Sequence, residues 1–278
     1  MAELDRSNED VFHLGLRSCA LWPGIAQALG VPQVCHFDGS LLLAHRRVPA
    51  LPVTLSLRSL SVIRLEGNLA AARRVAAALL VQAVCWHAPT ELRIALCLPP
   101  GPGPDRARAW DWLKWTPHLA DPAGPAGGAP VLTVADDLPA LEEMLAGELA
   151  GRPWADPAAA PLAERCHLIV LVDGRAAGSR SGGQLAGPQG LLGVTVLQIG
   201  GDGPLPAGRG LRLRVTDSDV QTVTVDRLGQ ESTGHLGVPD QVTPAVAAAT
   251  CRHLVGLRAP GVAAAEPVVT TAGLPDLL

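Results

Sequence analysis

The sequence predicts an α/β protein: a mostly parallel sheet in a three-layer α/β/α arrangement, preceded by a short β-rich lead-in. Three observations carry this. From Leu51 onward, apolar runs of strand length alternate with alanine- and leucine-rich helical runs, the rhythm of a parallel sheet covered on both faces. Two runs, LRIALCL at Leu92–Leu98 and HLIVLV at His167–Val172, are nearly continuously apolar, as strands buried on both sides are. Finally, Ser61–His87 (SVIRLEGNLAAARRVAAALLVQAVCWH) joins an apolar strand through Gly67 to a long helix.

In chain order, residues 1–50 form an irregular lead-in punctuated by Pro23, Pro32 and Pro49, with strand-like alternation at Val11–Arg17 and an apolar run at Leu41–Ala44. The α/β domain spans 51–258. Val53–Leu57 and Val62–Glu66 are its first strands, and Asn68 caps a helix reaching Trp86. Strand Leu92–Leu98 leads through a proline loop to a helix near Asp105–Leu113. Beyond the low-complexity loop Asp121–Pro130 come strand Val131–Val134 and helix Leu138–Ala150. His167–Val172 then ends in Asp173, and Gly178–Gly190 reads as a loop. Strands follow at Val194–Ile199, Leu211–Val215 and Val220–Val225, the last two close enough to be an antiparallel edge hairpin. A helix runs from Thr243 to about Leu257, and 259–278 reads as a linker toward a further domain.

Of 278 residues, 48% are hydrophobic and 17% charged, with a net charge of −4 and no long basic run. That balance excludes a concentrated Lys/Arg surface for nucleic acid. The polar start MAELDRSNEDVF is unlike a signal peptide, and no run reaches the roughly 18 apolar residues of a membrane span. Cysteines without framework spacing fit a reducing compartment, and Cys85, Cys97 and Cys166 read as small buried hydrophobes. Together these features describe a soluble, cytoplasmic chain.

The candidate chemistry centres on the turn after Val62–Glu66. A phosphate-binding loop reads G-x-x-x-x-G-K-[ST]. Counting from Gly67 and Asn68 puts Ala72 at the second glycine, Arg73 at the lysine and Arg74 at the hydroxyl position. This is a degenerate P-loop NTPase-like pattern: Arg74 cannot ligate magnesium, and Arg73 has neither the reach nor the compactness of lysine. Two arginines in a first helical turn also oppose the helix dipole by about 0.3–1 kcal/mol each, so they call for an anion. Glu66, Asp173 or a partner chain could supply it. Asp173 stands where a magnesium-organising carboxylate would, but Gly174 occupies the place of the expected catalytic glutamate.

Trp110–Trp115 (WDWLKW) holds half of the six tryptophans. Trp112 and Trp115 serve either as core anchors or, with Arg73 and Arg74, as a partner contact. Cys–His neighbours such as Cys166-His167 lack zinc spacing, so no metal is expected. Gly178–Gly182 (GSRSG) matches a nucleophile-elbow string without the strand and helix an elbow requires.

LPVTLSLRSL, GNLAAARRVAAALL, ELRIALCL, WDWLKWTPH and HLIVLVDG, in this order, resemble the EccC-type ATPases of type VII secretion systems, FtsK/SpoIIIE-like proteins. The resemblance is to their degenerate ATPase-like domain, between the membrane helices and the first conventional ATPase domain, and covers about Asp10–Arg258. It implies a non-catalytic module without cofactor at the cytoplasmic face of the membrane, coupling membrane-embedded core components to downstream ATPase domains of a P-loop ATPase parent. Implied partners are those domains and other secretion core subunits, including ones with ubiquitin-like cytosolic domains. The alternative is a weak ATP·Mg-binding or hydrolysing domain completed by a neighbouring subunit. A third possibility, an unrelated α/β enzyme, would require a deep polar pocket at the carboxyl ends of the strands.

Overall fold

The computed structural model describes residues 53–101, 105–121, 131–155, 165–174, 189–201, 208–225 and 229–255, with 183–185, 187 and 205–206 between them. In the lead-in it describes only the backbone of β1 (Val11–Leu14), β2 (Cys19–Ala20) and β3 (Arg47–Val48). The expectations for Leu41–Ala44, Gly178–Gly182 and the linker 259–278 lie outside the described residues.

The expected lead-in strand is β1, which pairs antiparallel with β4 (Val53–Ser56) and runs beside the first long helix. The main sheet has eight strands: β5 (Val62–Gly67), β6 (Leu92–Cys97), β7 (Val134–Ala135), β8 (His167–Asp173), β9 (Val194–Ile199), β10 (Gly210–Val215), β11 (Val220–Val225) and β12 (Glu231–Gly237). Their spatial order is β12-β11-β10-β5-β9-β8-β6-β7. From β10 to β7 all neighbours are parallel, while β11 and β12 run antiparallel at one edge. The fold class is as expected, edge hairpin included.

Helix α1 (Leu69–Trp86) lies on one face. It is long and apolar enough to cross a membrane, yet its Ala71, Ala72, Val75, Leu79 and Leu80 are buried against Ile63 and Leu65 of β5. Alanine at these positions lets the helix approach the sheet closely. The same face carries α2 (Asp105–Trp110), the 3-10 turn Asp111–Trp115 and α5 (Pro244–Val255), whose Ala247 and Cys251 are buried. On the opposite face α3 (Leu138–Met144) and α4 (Ala146–Leu149) present Leu138, Leu141 and Leu149 to Leu168 and Val170 of β8.

Four expectations need correction. The helix foreseen over Leu138–Ala150 breaks at Leu145 (φ −92°, ψ 4°), although Leu145 still points into the core. The strand foreseen at Val131–Val134 is displaced to β7, and Leu132 makes only an isolated bridge to Ala120. The helix foreseen over Asp105–Leu113 tightens to 3-10 geometry after Trp110. Strand β12 was not foreseen: ESTGHLG is exposed over its first five residues, so no buried face imposed an apolar alternation. Moreover, the second helical layer does not extend over β10 among the described residues. There Arg212 and Arg214 of β10 each pair with both Glu66 of β5 and Glu231 of β12, across β11.

The amino-terminal ends of the parallel strands are joined by buried polar groups. Thr195 donates its proton to the Leu57 or Leu60 carbonyl (2.8 Å each), so it accepts from His167 Nε2 at 3.0 Å. Arg152 donates to the carbonyls of Gly193 (2.9 Å) and Cys166 (2.8 Å), tying the end of α4 to β8 and β9. Burial, reinforced by Arg58 and Arg152, pushes the His167 pKa down to about 3. In the unfolded chain this histidine titrates near 6.5. The unfolded state therefore binds a proton that the native state refuses between those two values, and stability falls as the pH drops. We expect a loss from this group of about 1.4 kcal/mol per pH unit below pH 6.5. Urea unfolding from pH 7 to 4 should show a shallower decline for His167→Asn than for the wild type; equal slopes would exclude His167 as the source.

Candidate functional site

Strand β5 ends at Gly67 with φ +96°, and a Cβ there would lie 2.7 Å from the Val215 carbonyl oxygen of β10. Only glycine permits this approach. The next amide, Asn68 N–H, donates to the same carbonyl at 3.0 Å. Asn68 is then the sole residue between strand and helix, and its Oδ1 accepts from Ala70 N (3.0 Å) and Ala71 N (3.2 Å). Ala72 N already donates to the Asn68 carbonyl at 2.8 Å, the first intrahelical bond. The amides that would cradle a phosphate are thus capped by the chain itself, and Ala72, Arg73 and Arg74 all lie within α1. Gly67–Arg74 is a tight turn running into a helix.

Arg73 reaches across to the end of β8. Its Nε donates to Asp173 Oδ2 at 2.8 Å and its Nη2 to Oδ1 at 3.2 Å, a bidentate pair. The Asp173 side chain is 1% exposed and that of Arg73 23%. Trp110 Nε1, itself buried, donates to the same Oδ2 at 2.7 Å. Beside it, Gly174 has φ +119°, and a side chain there would meet Arg106 Nη1 at 2.6 Å. Arg106 is anchored to the Pro99 carbonyl.

Arg74 turns the other way. It pairs with Asp217 in the β10–β11 turn, and its Nε donates to Gln241 Oε1 at 2.6 Å. Gln241 Nε2 donates to the Asp217 carbonyl (2.8 Å), and Asn68 Nδ2 to Asp217 Oδ2 (3.3 Å). Each arginine in the first turns of α1 is therefore matched by a carboxylate of the same chain, which offsets its unfavourable place in the helix dipole. Of the acids proposed from sequence, Asp173 is the partner of Arg73, whereas Glu66 is taken by Arg212 and Arg214.

The tryptophans separate. Trp112 is 2% exposed, 6.5 Å from Trp110 between ring centroids, so it belongs to the core and has no face left for a partner. Trp115 is part-buried, with Arg252 of α5 4.6 Å from its ring centroid and Lys114 Nζ 5.4 Å away. It holds α5 on the 3-10 turn. Among the described residues no three His, Cys, Asp or Glu side chains are grouped to hold a metal. Burial first, then Asp137 and Asp136, pushes the Cys97 thiol up to about 12, and burial first takes Cys251 to about 12. Cys97 is buried as expected, but Cys85 is exposed, on the side of α1 away from the buried Ala83 and Val84, and Cys166 is only half-buried at the start of β8.

Sequence reasoning missed Trp110 as the second donor to Asp173, and Asp217 and Gln241 as partners of Arg74. The latter two lie 143 and 167 residues from it. The available signal was the demand for anions created by two arginines at a helix start.

No family model matches the chain. It is 36% identical over 218 residues to the ESX secretion system protein EccC of Thermomonospora curvata, covering 78% of this chain and 16% of the relative. The chain is an EccC-type domain. The ESX-4 secretion system protein EccC4 of Mycobacterium tuberculosis is 29% identical over 220 residues (78% of this chain, 14% of the relative). The ESX-3 protein EccC3 of the same organism is 34% identical over 134 residues (48% and 10%). The EccC-type domain thus spans about a sixth of the length of the T. curvata relative. The solved cytoplasmic domain of the T. curvata type VII secretion ATPase EccC superposes with a TM-score of 0.42 at 13% identity, over 87% of this chain and 34% of the other.

Asp173 is the group on which this site depends. Asp173→Ala leaves Arg73 and Trp110 Nε1 without their acceptor, and we expect a loss on the order of 3 kcal/mol, the low end for breaking a buried pair because Arg73 is partly open to solvent. The Arg73→Ala/Asp173→Ala double variant should lose less than the two single losses combined. Urea denaturation of all four proteins measures the coupling; strict additivity would show that the pair contributes nothing specific.

Proposed function

We propose that the domain is a non-catalytic, pseudo-ATPase module of a type VII secretion motor protein, working at the cytoplasmic face of the membrane through protein contacts. It would couple membrane-embedded core components to ATPase domains of the same parent chain. The observation that supports this reading is the Arg73–Asp173 pair beneath a self-capped helix. In a working site of this class, the residue at the lysine position reaches the phosphates and the strand-end carboxylate organises magnesium. Here those two positions neutralise each other, Trp110 adds a donor to the carboxylate, and Asn68 occupies the helix amides. Binding a nucleotide would require breaking a buried ion pair and uncapping α1 before any phosphate contact formed.

The test is calorimetric. Titration of ATP with magnesium into the folded domain should give no binding heat up to millimolar nucleotide; a micromolar Kd would overturn the reading. A second variant separates missing side chains from a missing cradle. Ala72→Gly/Arg73→Lys/Arg74→Ser restores the motif residues but not the loop, since α1 starts at Leu69. It should also fail to bind, and acquired micromolar affinity would show that side chains alone had disabled the site.

A further inference from the structure

The amino-terminal end of the parallel strands, opposite Asp173, carries two solvent-facing tryptophans. Trp86 ends α1 and is 81% exposed; Trp154 is 51% exposed, in a chain with no tyrosine and two phenylalanines. Trp154 bridges to Leu191 just before β9, with Leu192 N–H on the Pro153 carbonyl and Ala155 N–H on the Gly190 carbonyl, both at 2.9 Å. Its indole lies over Gly187, where an added Cβ would be 3.0 Å from the ring. The ring is therefore presented from fixed backbone. Cys166, at the start of β8, stands between the two tryptophan segments: its carbonyl accepts from Arg152, and its Sγ lies 3.9 Å from the Pro89 carbonyl oxygen.

Among the described residues of this edge arginines outnumber acids, Arg58, Arg93, Arg152, Arg165 and Arg209 against Glu91 and Glu148, in a chain whose total charge is −4. Arg165 is exposed and donates to the Ala150 carbonyl at 3.0 Å. Of the described acids nearby, Glu148 is paired with Arg93 and Arg152, while Glu91 is exposed, accepts from Ala88 N–H and keeps its negative charge. Burial first, and then Arg58, Arg152, His87 and Arg209, keep His167 neutral.

We propose that this edge is a docking surface for an acidic face of a partner protein, anchored by Trp86 and Trp154 with Arg165 supplying the charge. This rests on reading the domain as a contact module. Large aromatics combined with arginine characterise the energetic centres of protein contacts, and anchors already fixed in place lose little freedom on binding. An anionic membrane is the poorer match. Juxtamembrane attachment draws on exposed clusters of four to eight Lys/Arg, whereas among the described arginines of this edge Arg152 and Arg209 are buried, Arg58 is half-buried and Arg165 is exposed.

Photo-crosslinking tests the proposal in cells producing the protein at its natural level. Trp86→p-benzoylphenylalanine and Trp154→p-benzoylphenylalanine place the probe at exposed positions that the fold does not need. Both should give adducts with one and the same protein, through Asp/Glu-rich peptides, and Arg165→Glu should lower both yields at least tenfold. Adducts with lipid, adducts with a second copy of this chain, yields insensitive to Arg165→Glu, or yields no higher than from Val225→p-benzoylphenylalanine on β11 would each overturn it. The calorimetric titration is independent: nucleotide binding removes the non-catalytic reading, while missing adducts without nucleotide binding remove only this surface.

Discussion

One buried carboxylate organises the carboxyl-terminal end of this sheet. Asp173 finishes the most buried strand, and both its oxygens are engaged by donors from elsewhere in the chain, Arg73 from α1 and Trp110 from α2. A carboxylate so deeply buried is tolerable only when it is paired and hydrogen-bonded. Meeting that condition fixes three elements at once: the first turns of α1, the end of β8, and the entry to the tryptophan turn. Because Trp115 of the same turn stacks under Arg252, the constraint reaches α5 through contiguous contacts.

The same principle recurs across the molecule. Arg74 is matched by Asp217, and Arg212 and Arg214 form a closed ring with Glu66 and Glu231. The effect is to leave the strand-end region, where open α/β sheets bind ligands, without a free anion-binding group at the Arg73 and Arg74 positions. The opposite end of the sheet is built differently. Its buried arginines and histidine serve backbone carbonyls and a threonine hydroxyl, while its large aromatic side chains face outward. One end is closed by internal pairing, and the other presents surface.

Membership among the EccC proteins gives this asymmetry a setting. The similarity covers a minor fraction of the relatives' length. The buried Arg73–Asp173 pair and the Asn68 cap both resist opening, so this end of the sheet holds a fixed shape.

Local sequence determined the strand–helix rhythm, the Asn68 cap and the demand for anions near Arg73 and Arg74. Those features follow from periodicity, capping chemistry and the helix dipole, all of which act within a few residues. The composite string of motifs also carried the EccC resemblance. Tertiary structure decided which acids answered the arginines, because Asp173 and Asp217 lie 100 and 143 residues from their partners. It likewise decided that Trp112 is core while Trp86 and Trp154 are surface, since burial depends on what packs above a ring rather than on residue type. Strand β12 escaped notice because hydrogen bonds to β11, rather than an apolar face, hold it in place. Sequence identified a cation in search of an anion; only the folded sheet brought the end of β8 beneath the first turns of α1.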